Sequence, residues 1–562
     1  MSGLKLEIGN WRRTRAWVRI FSSQFLISSF HFRRSKNACS GVALMGVIIM
    51  IVLMGLLGGG VLMLITTSSM ESLQTLQWSK AFFAAETGIS RAKAAWYGSL
   101  PWTNTGLIGS ASFEIVITTN AENKVVVSST SVQGYSRWTS RWRPAEILRA
   151  IIVYKEGSEP EPRYRTYSNR GLSTEFTNNS VVDPTQWQRI EASPRTNEFL
   201  LVTQNDQRRI YAQTYLNGAW VSNTYLNNAG RVPDAARRGF DVAYESLSGR
   251  GMVVYSINTA NPQYRVWTST GWSSPPGSIN VGATNPISWI RLISKPGTDE
   301  IMCLARWQRT ASAKYSSAII WNGTTWTNLI PLERECASTI TYETLDAAYS
   351  ANTGLVVYIN GSTLAQRRIP KYRTYTNGVW GIEKTMEPGS VGANPSWIRV
   401  EYSADGAQAY ACIMQASRYF YGTYWNGSAW GSYNTFSNAR LEIVSRRCFD
   451  IAWSSQTNTL MVAYSLNQNA QSYLLATGGG SSNRYGNMVS TDDGQWCVLK
   501  PDPFTSNFYY LAIDGPQGRN VNFQRWTGSA WTNYPKLENS SDNNYLSIDF
   551  SFRKDSASTN CW

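Results

Sequence analysis

Four short phrases, "YLNGAW", "IWNGTTW", "YWNGSAW" and "RWTGSAW", close at Trp220, Trp326, Trp430 and Trp531, at intervals of 106, 104 and 101 residues. A second series stands between them: "FDVAY" with Asp241, "LDAAY" with Asp346, "FDIAW" with Asp450 and "IDFSF" with Asp549. Full copies of the second series pass through a turn into an apolar run ("GMVVYS", "GLVVYI", "LMVAYS"). The first series has the same internal order, from "WQRIEASP", "WIRLISKP" or "WIRVEYSA" through a turn and an apolar strand to an Asn-Gly turn and the closing Trp. The repeating unit is therefore about 50 residues long and alternates in two flavours, each reading as four short strands between Gly, Asn, Pro and Ser turns. Such units bury their apolar faces only against one another, and a radial array of them is a β-propeller.

The ends of the array set its closure. "YLSIDFSF" at 545–552 stops after one strand, and the missing strands stand at the other end, where "AIIVYKEG" at 150–157 matches "GMVVYSIN" and "YRTYSNRG" at 164–171 matches "YRVWTSTG". The last strand is expected to complete the first blade, leaving no open sheet edge. That count gives eight blades; seven is the alternative, because the Gly-rich residues 478–500 fit the pattern poorly.

Ahead of the array, "GVALMGVIIMIVLMGLLGGGVLMLITT" (41–67) carries no charge. Val42 to Ile65 as a helix spans roughly 36 Å, against a hydrocarbon core of roughly 30 Å. Arg33, Arg34 and Lys36 precede it and the next charge is Glu71, which leaves the N-terminus cytoplasmic and exports the rest. A secretory signal peptide is the rival reading, but its apolar region is usually shorter and ends at a small-x-small cleavage site. Here the run continues into a helix whose Phe82, Ala85, Ile89, Ala92 and Trp96 form one apolar stripe.

The basic stretch, the Gly, the apolar run and "AFFAAETGISRA" at 81–92 together resemble the N-terminal segment of PilX-like minor pilins of type IV pili, over residues 36–97. The resemblance implies cleavage by a prepilin peptidase between Gly41 and Val42, residence in the inner membrane before assembly, and packing of the helix among other pilin subunits. Gly46 stands where major pilins carry a glutamate, which implies a minor or terminal subunit rather than a repeating one. The resulting domain scheme is a basic leader (1–41), a transmembrane or filament-core helix (42–97), a small pilin-like β-sheet (98–147) carrying the alternating strands of "ASFEIVITTNAENKVVVSSTSVQG", and a propeller (148–562) mounted on it. A permanently anchored surface protein is the plainer alternative.

Composition removes several chemistries. The only histidine, His31, lies in the leader, so the mature chain has none for a triad, a metal site or a proton shuttle. Of the net charge of +15, +7 falls in residues 1–41 (eight Lys or Arg against Glu7) and about +8 stays on the mature chain, where no basic helix accompanies it, so no nucleic-acid partner is expected. "SADG" (403–406) and "TDDG" (491–494) read as turns rather than calcium loops, and neither metal nor cofactor is expected. Cys303, Cys336, Cys412, Cys448, Cys497 and Cys561 are an even set suited to disulfides in an exported chain. Cys303 and Cys412 occupy equivalent strands too far apart to pair, so the expected bonds are Cys303–Cys336, Cys412–Cys448 and Cys497–Cys561. Asp241, Asp346, Asp450 and Asp549 recur once per double repeat, the mark of structural positions; Trp220, Trp326, Trp430 and Trp531 read as inter-blade packing. Arg189, Arg291 and Arg399 share one register near the inner strands, where they line an anion-binding channel or pair with the repeated Asp.

The functional expectation is a non-enzymatic minor or tip pilin whose propeller, resembling those of pilus tip adhesins, binds a surface, a carbohydrate or a partner protein outside the cell. One alternative is a membrane-anchored exported glycoside hydrolase or lyase, favoured by a deep pocket with two convergent unrepeated carboxylates. The other is a structural subunit that primes pilus assembly.

Overall fold

The computed structural model describes residues 40–554 apart from 96–101, 109–110, 120–124, 134–135, 143–147 and loop stretches of one to five residues within the propeller. Residues 1–39 of the leader, with His31, and Cys561 lie outside the described residues. The chain divides into two compact units, one holding the helix and most of a small sheet, the other the propeller.

In the first unit one helix runs unbroken over Ser40–Ala95. Its Leu, Ile, Val and Met residues between Ile48 and Ile65 are exposed, and it is long and apolar enough to cross a membrane. Gly58, Gly59 and Gly60 continue the helix with nothing within 4 Å of an added Cβ, so no neighbour in this chain explains them. Four strands, Trp102–Ile108, Ala111–Thr119, Val125–Gln133 and Ser136–Trp142, form a sheet in sequence order, twice the number of strands expected. The buried seam of the helix consists of Ala81, Ala84 and Ala85, and the buried Ser131 hydroxyl donates to the Ala81 carbonyl. Of the expected stripe, Ala85 is buried and Phe82 half-buried; Ala81 and Ala84 join them in the seam while Phe83 is exposed, because methyl-sized side chains let the sheet approach the helix backbone. The side chains of Ile89, Ala92 and Trp96 lie outside the description.

The second unit is a propeller of eight blades, each a sheet of four or five antiparallel strands. Blades two to eight begin with inner strands at Thr185–Ala192, Phe240–Tyr244, Ile287–Ser294, Leu345–Tyr349, Pro395–Tyr402, Phe449–Trp453 and Gly494–Pro501. Blade one opens with the last strand, Ile548–Phe552, paired antiparallel to Leu148–Tyr154 with Asp549 opposite Val153. Inner strands of successive blades touch all round the ring. The Gly-rich stretch resolves the blade count: Ser482–Asn487 is the outer strand of blade seven and Gly494–Pro501 the inner strand of blade eight.

The repeated aromatics cement alternate blade interfaces. Trp220, Trp326, Trp430 and Trp531 pack edge-to-face on Tyr164, Tyr264, Tyr372 and Tyr473 of the preceding blade, at 5.6, 5.8, 6.0 and 5.9 Å. Each such pair adds about 0.5–1.5 kcal/mol beyond its buried area. Asn217 and Gly218 both have positive φ, the mirror-image turn that matches strand twist in a tight hairpin.

The cysteines depart from expectation. Cys303, Cys412, Cys448 and Cys497 are free, buried thiols, so none of the three proposed bonds forms in the structure; the Cys336 side chain lies outside the description. Each described thiol sits among apolar side chains between strands, where it packs as a small hydrophobe, and burial pushes Cys448 up to about 11.

Candidate functional site

Alternation along a strand sends every second residue of the inner strands toward the axis. In the even-numbered blades the first such position is Trp187, Trp289, Trp397 or Trp496. These indoles contact one another in a closed cycle, with centroids 5.4, 6.3, 5.6 and 5.6 Å apart, and plug the channel. Trp187 and Trp397 give their N–H groups to the carbonyls of Ala235 and Val444.

Two residues further along, Arg189, Arg291 and Arg399 meet the Asp residues of the odd-numbered blades. Arg189 bridges Asp241 and Asp549, each at 3.1 Å. Arg291 holds Asp346 at 3.1 Å and lies 3.6 Å from Asp241. Arg399 bridges Asp346 and Asp450, each at 2.9 Å. Each carboxylate also accepts a backbone N–H from the next blade: Ile190 to Asp549, Leu292 to Asp241, Val400 to Asp346 and Leu499 to Asp450, at 2.9–3.1 Å. The Asp side chains therefore tie one blade to the next, satisfying buried amides and guanidiniums at once. Burial works to raise Asp241, but Arg238, Arg189 and Arg291 prevail and hold it at about 2.

The pattern lapses once. In blade eight the position of the arginine is taken by Val498, and Lys500 stands where blades two and six carry Glu191 and Glu401. Lys500 lies 3.0 Å from Asp549, and Arg447 lies 3.8 Å from Asp450 and donates to the Cys497 carbonyl at 3.3 Å. A cavity of about 410 Å³ opens beside this lapse. Its floor is the four indoles, and most of its wall comes from blades six to eight, including Glu401, Tyr402, Trp453, Val498, Lys500 and Pro501.

The two glutamates at this mouth differ sharply. Burial acts to raise Glu191, but Lys554, Lys500 and Arg189 outweigh it and hold the carboxyl at about 2; Lys554 reaches it at 3.2 Å. Burial dominates at Glu401, which has no lysine beside it, and pushes it up to about 7 despite Arg399.

Of the residues expected from the sequence, Arg189, Arg291 and Arg399 converge here in one register, paired with the repeated Asp and lining the cavity. The indole ring was overlooked, although Trp187, Trp289 and Trp397 sit two residues before those arginines; the fourth, Trp496, is masked by the lapse around it. Asp405 of "SADG" accepts from the Ser403 hydroxyl and the Ala407 N–H, as a turn residue does. Gly41 and Val42 fall within the first turns of the helix, and the structure says nothing about their cleavage.

No protein-family model matches the sequence, and neither does any curated protein. Among solved structures, the backbone is similar to the BP39L lectin of Burkholderia pseudomallei (12% identity, TM-score 0.43, covering 62% of this chain and 99% of that one). It is also similar to the fucose-specific lectin of Aleuria aurantia (10%, 0.35, 64% and 99%) and to an ulvan lyase of a new polysaccharide lyase family (12%, 0.38, 64% and 94%). All three fall below the similarity at which a shared ligand would follow.

Proposed function

We propose that this chain is a helix-anchored binding head whose propeller takes carbohydrate in the mouth of its central channel, presented outside the cell as a minor or tip pilin-like subunit. The observation that carries the reading is the cavity itself: it is closed below by four indoles and open where one arginine of the repeat is replaced by Val498. Indole side chains and convergent carboxylate, ammonium and guanidinium groups in one lining suit a sugar, which presents C–H faces and hydroxyl edges. The volume lies within the range of small-molecule sites, about 300–1,000 Å³.

Replacing Val498 by Arg fills this space with the group the repeat supplies elsewhere. A glycan array on the full chain in detergent is expected to retain oligosaccharides with the wild type and lose them with Val498→Arg, without a lower melting temperature. Equal retention by both would move the ligand elsewhere, and no retention by either would remove the carbohydrate reading. For presentation, the mature N-terminus is expected at Val42, with Gly41→Ala blocking its formation; mass spectrometry of an intact N-terminus in the wild type would sink the pilin part alone.

A second reading, glycosidic bond cleavage, draws on Glu191 and Glu401, which share a register in two blades and differ in protonation. Glu191, held at about 2 and tied to Lys554, is a weak base, so binding without turnover is preferred.

A further inference from the structure

The charges around the mouth are arranged in depth. Asp241, Asp346 and Asp549 do not line the cavity; their oxygens are turned to backbone amides and to Arg189, Arg291 and Arg399, which do line it. Seven cationic side chains do line it, against the four carboxyl groups of Glu191, Glu343, Glu401 and Asp450. Of those four, Asp450 spends its oxygens on Arg399 Nε at 2.9 Å and the Leu499 N–H at 3.0 Å. A cluster close to balance overall therefore shows its positive side to the ligand, inside low-dielectric walls that concentrate the field.

The excess is sharpest around Val498. Lys500 is ion-paired with Asp549 at 3.0 Å, and among the described residues its ammonium makes no aligned hydrogen bond. Across Val498, Arg447 is buried with an unpartnered Nε, its Nη2 reaching the carbonyl of the preceding residue, Cys497. Two cations with unspent donors thus flank the one position where the repeat gives up a long side chain. An unspent buried donor is costly until an acceptor arrives, and an anionic oxygen is the acceptor that returns most.

Resting on the carbohydrate reading above, we propose that the mouth is specific for an anionic saccharide, whose carboxylate or sulfate sits over Val498 between Lys500 and Arg447 while its ring lies toward the indole floor. The ligand class is a polysaccharide bearing uronic acid or sulfate ester groups, and the anionic oxygen takes the hydrogen bonds that Lys500 and Arg447 lack.

The test is calorimetric titration of the full chain in detergent with three oligosaccharides of equal length: neutral, uronic-acid-bearing and sulfated. At least one anionic ligand is expected to bind about tenfold more tightly than the neutral one, the yield of one charge-assisted hydrogen bond. Raising the salt concentration should shrink that preference. Lys500→Gln should collapse it, and Lys500→Arg should restore most of it, which a merely structural lysine would not do. Which anionic ligand wins identifies carboxylate or sulfate. Neutral and anionic ligands bound alike, or a preference that survives Lys500→Gln in a folded protein, would overturn the inference and leave the carbohydrate reading standing. No binding of any of the three would overturn both.

Discussion

Three of the four blade pairs in this ring are built alike, and the fourth is not. In the regular pairs a guanidinium from each even blade ties two neighbouring carboxylates. In the fourth, Val498 makes no strap, Lys500 reaches back to one carboxylate, Arg447 stands off from the other, and the space between is a cavity. Backbone pairing is the same in both, since Gly494–Pro501 forms its sheet as regularly as its counterparts. What the difference teaches is a division of labour: repetition holds the ring, and the place where repetition is given up is the place left for a ligand.

If that division is right, the fourth pair still shares in closure, and the largest effect should come from breaking it there. Removing residues 545–562 deletes the inner strand of blade one together with Asp549, the carboxylate shared by Arg189 and Lys500. Two sheet edges then open at once, and the truncated chain is expected to aggregate on size-exclusion chromatography. A product as monomeric and heat-stable as the parent would show that the closing strand is dispensable.

Single carboxylates sharpen the contrast. Asp346→Ala in the regular part leaves Arg291 and Arg399 each short of a partner and the Val400 N–H without an acceptor, an expected loss of about 3–5 kcal/mol in chemical denaturation. Asp450→Ala also leaves a backbone N–H, that of Leu499, without an acceptor, but removes only one close strap, from Arg399, and a looser contact with Arg447, so a smaller loss of about 1–3 kcal/mol is expected. Equal losses at the two sites would erase the energetic difference between the regular and the irregular pair.

Much of this architecture could be read from the residues because the repeat is strict where it is structural. The Asp and closing-Trp series gave the unit, and the orphan strand at 545–552 gave the closure, since an unpaired edge strand must find a partner. The site was harder. The arginines share an evident register, but Trp187, Trp289 and Trp397 only mark the start of a strand in the sequence, and it is the ring that brings them together with Trp496. Val498 and Lys500 carry no motif at all: a site made by a missing side chain leaves no signature in a local pattern. The cysteines misled because an even count in an exported chain argues for bridges, whereas here four described thiols serve as core volume. On the helix, hydrophobic periodicity picks out Ala85, while Ala81 and Ala84 are buried by close approach of the sheet and Phe82 stays half-buried.

The smallest expected effect separates the two glutamates that share one register. Glu401 faces Arg399, Arg291, Asp346 and Asp450, and burial lifts it from an ordinary 4.5 to about 7. A carboxyl raised on folding contributes stability below its unfolded value that is lost as pH rises through the folded one, so wild-type stability should decline between about pH 4.5 and 7 on its account. Glu191 has the opposite sign: held at about 2 by Lys554, Lys500 and Arg189, it stabilises above about pH 4.5, and that contribution is lost as pH falls toward 2. Melting curves of Glu401→Gln should therefore coincide with wild type near pH 4 and rise above it by pH 8, and those of Glu191→Gln should coincide near pH 2 and fall below it by pH 6. The Glu401 side chain is 40% accessible, so solvent keeps its part of the difference small. Offsets of the same sign for both variants would mean that the lysines on the Val498 side do not set the field of the mouth, and the asymmetry on which the ligand site depends would be one of shape alone.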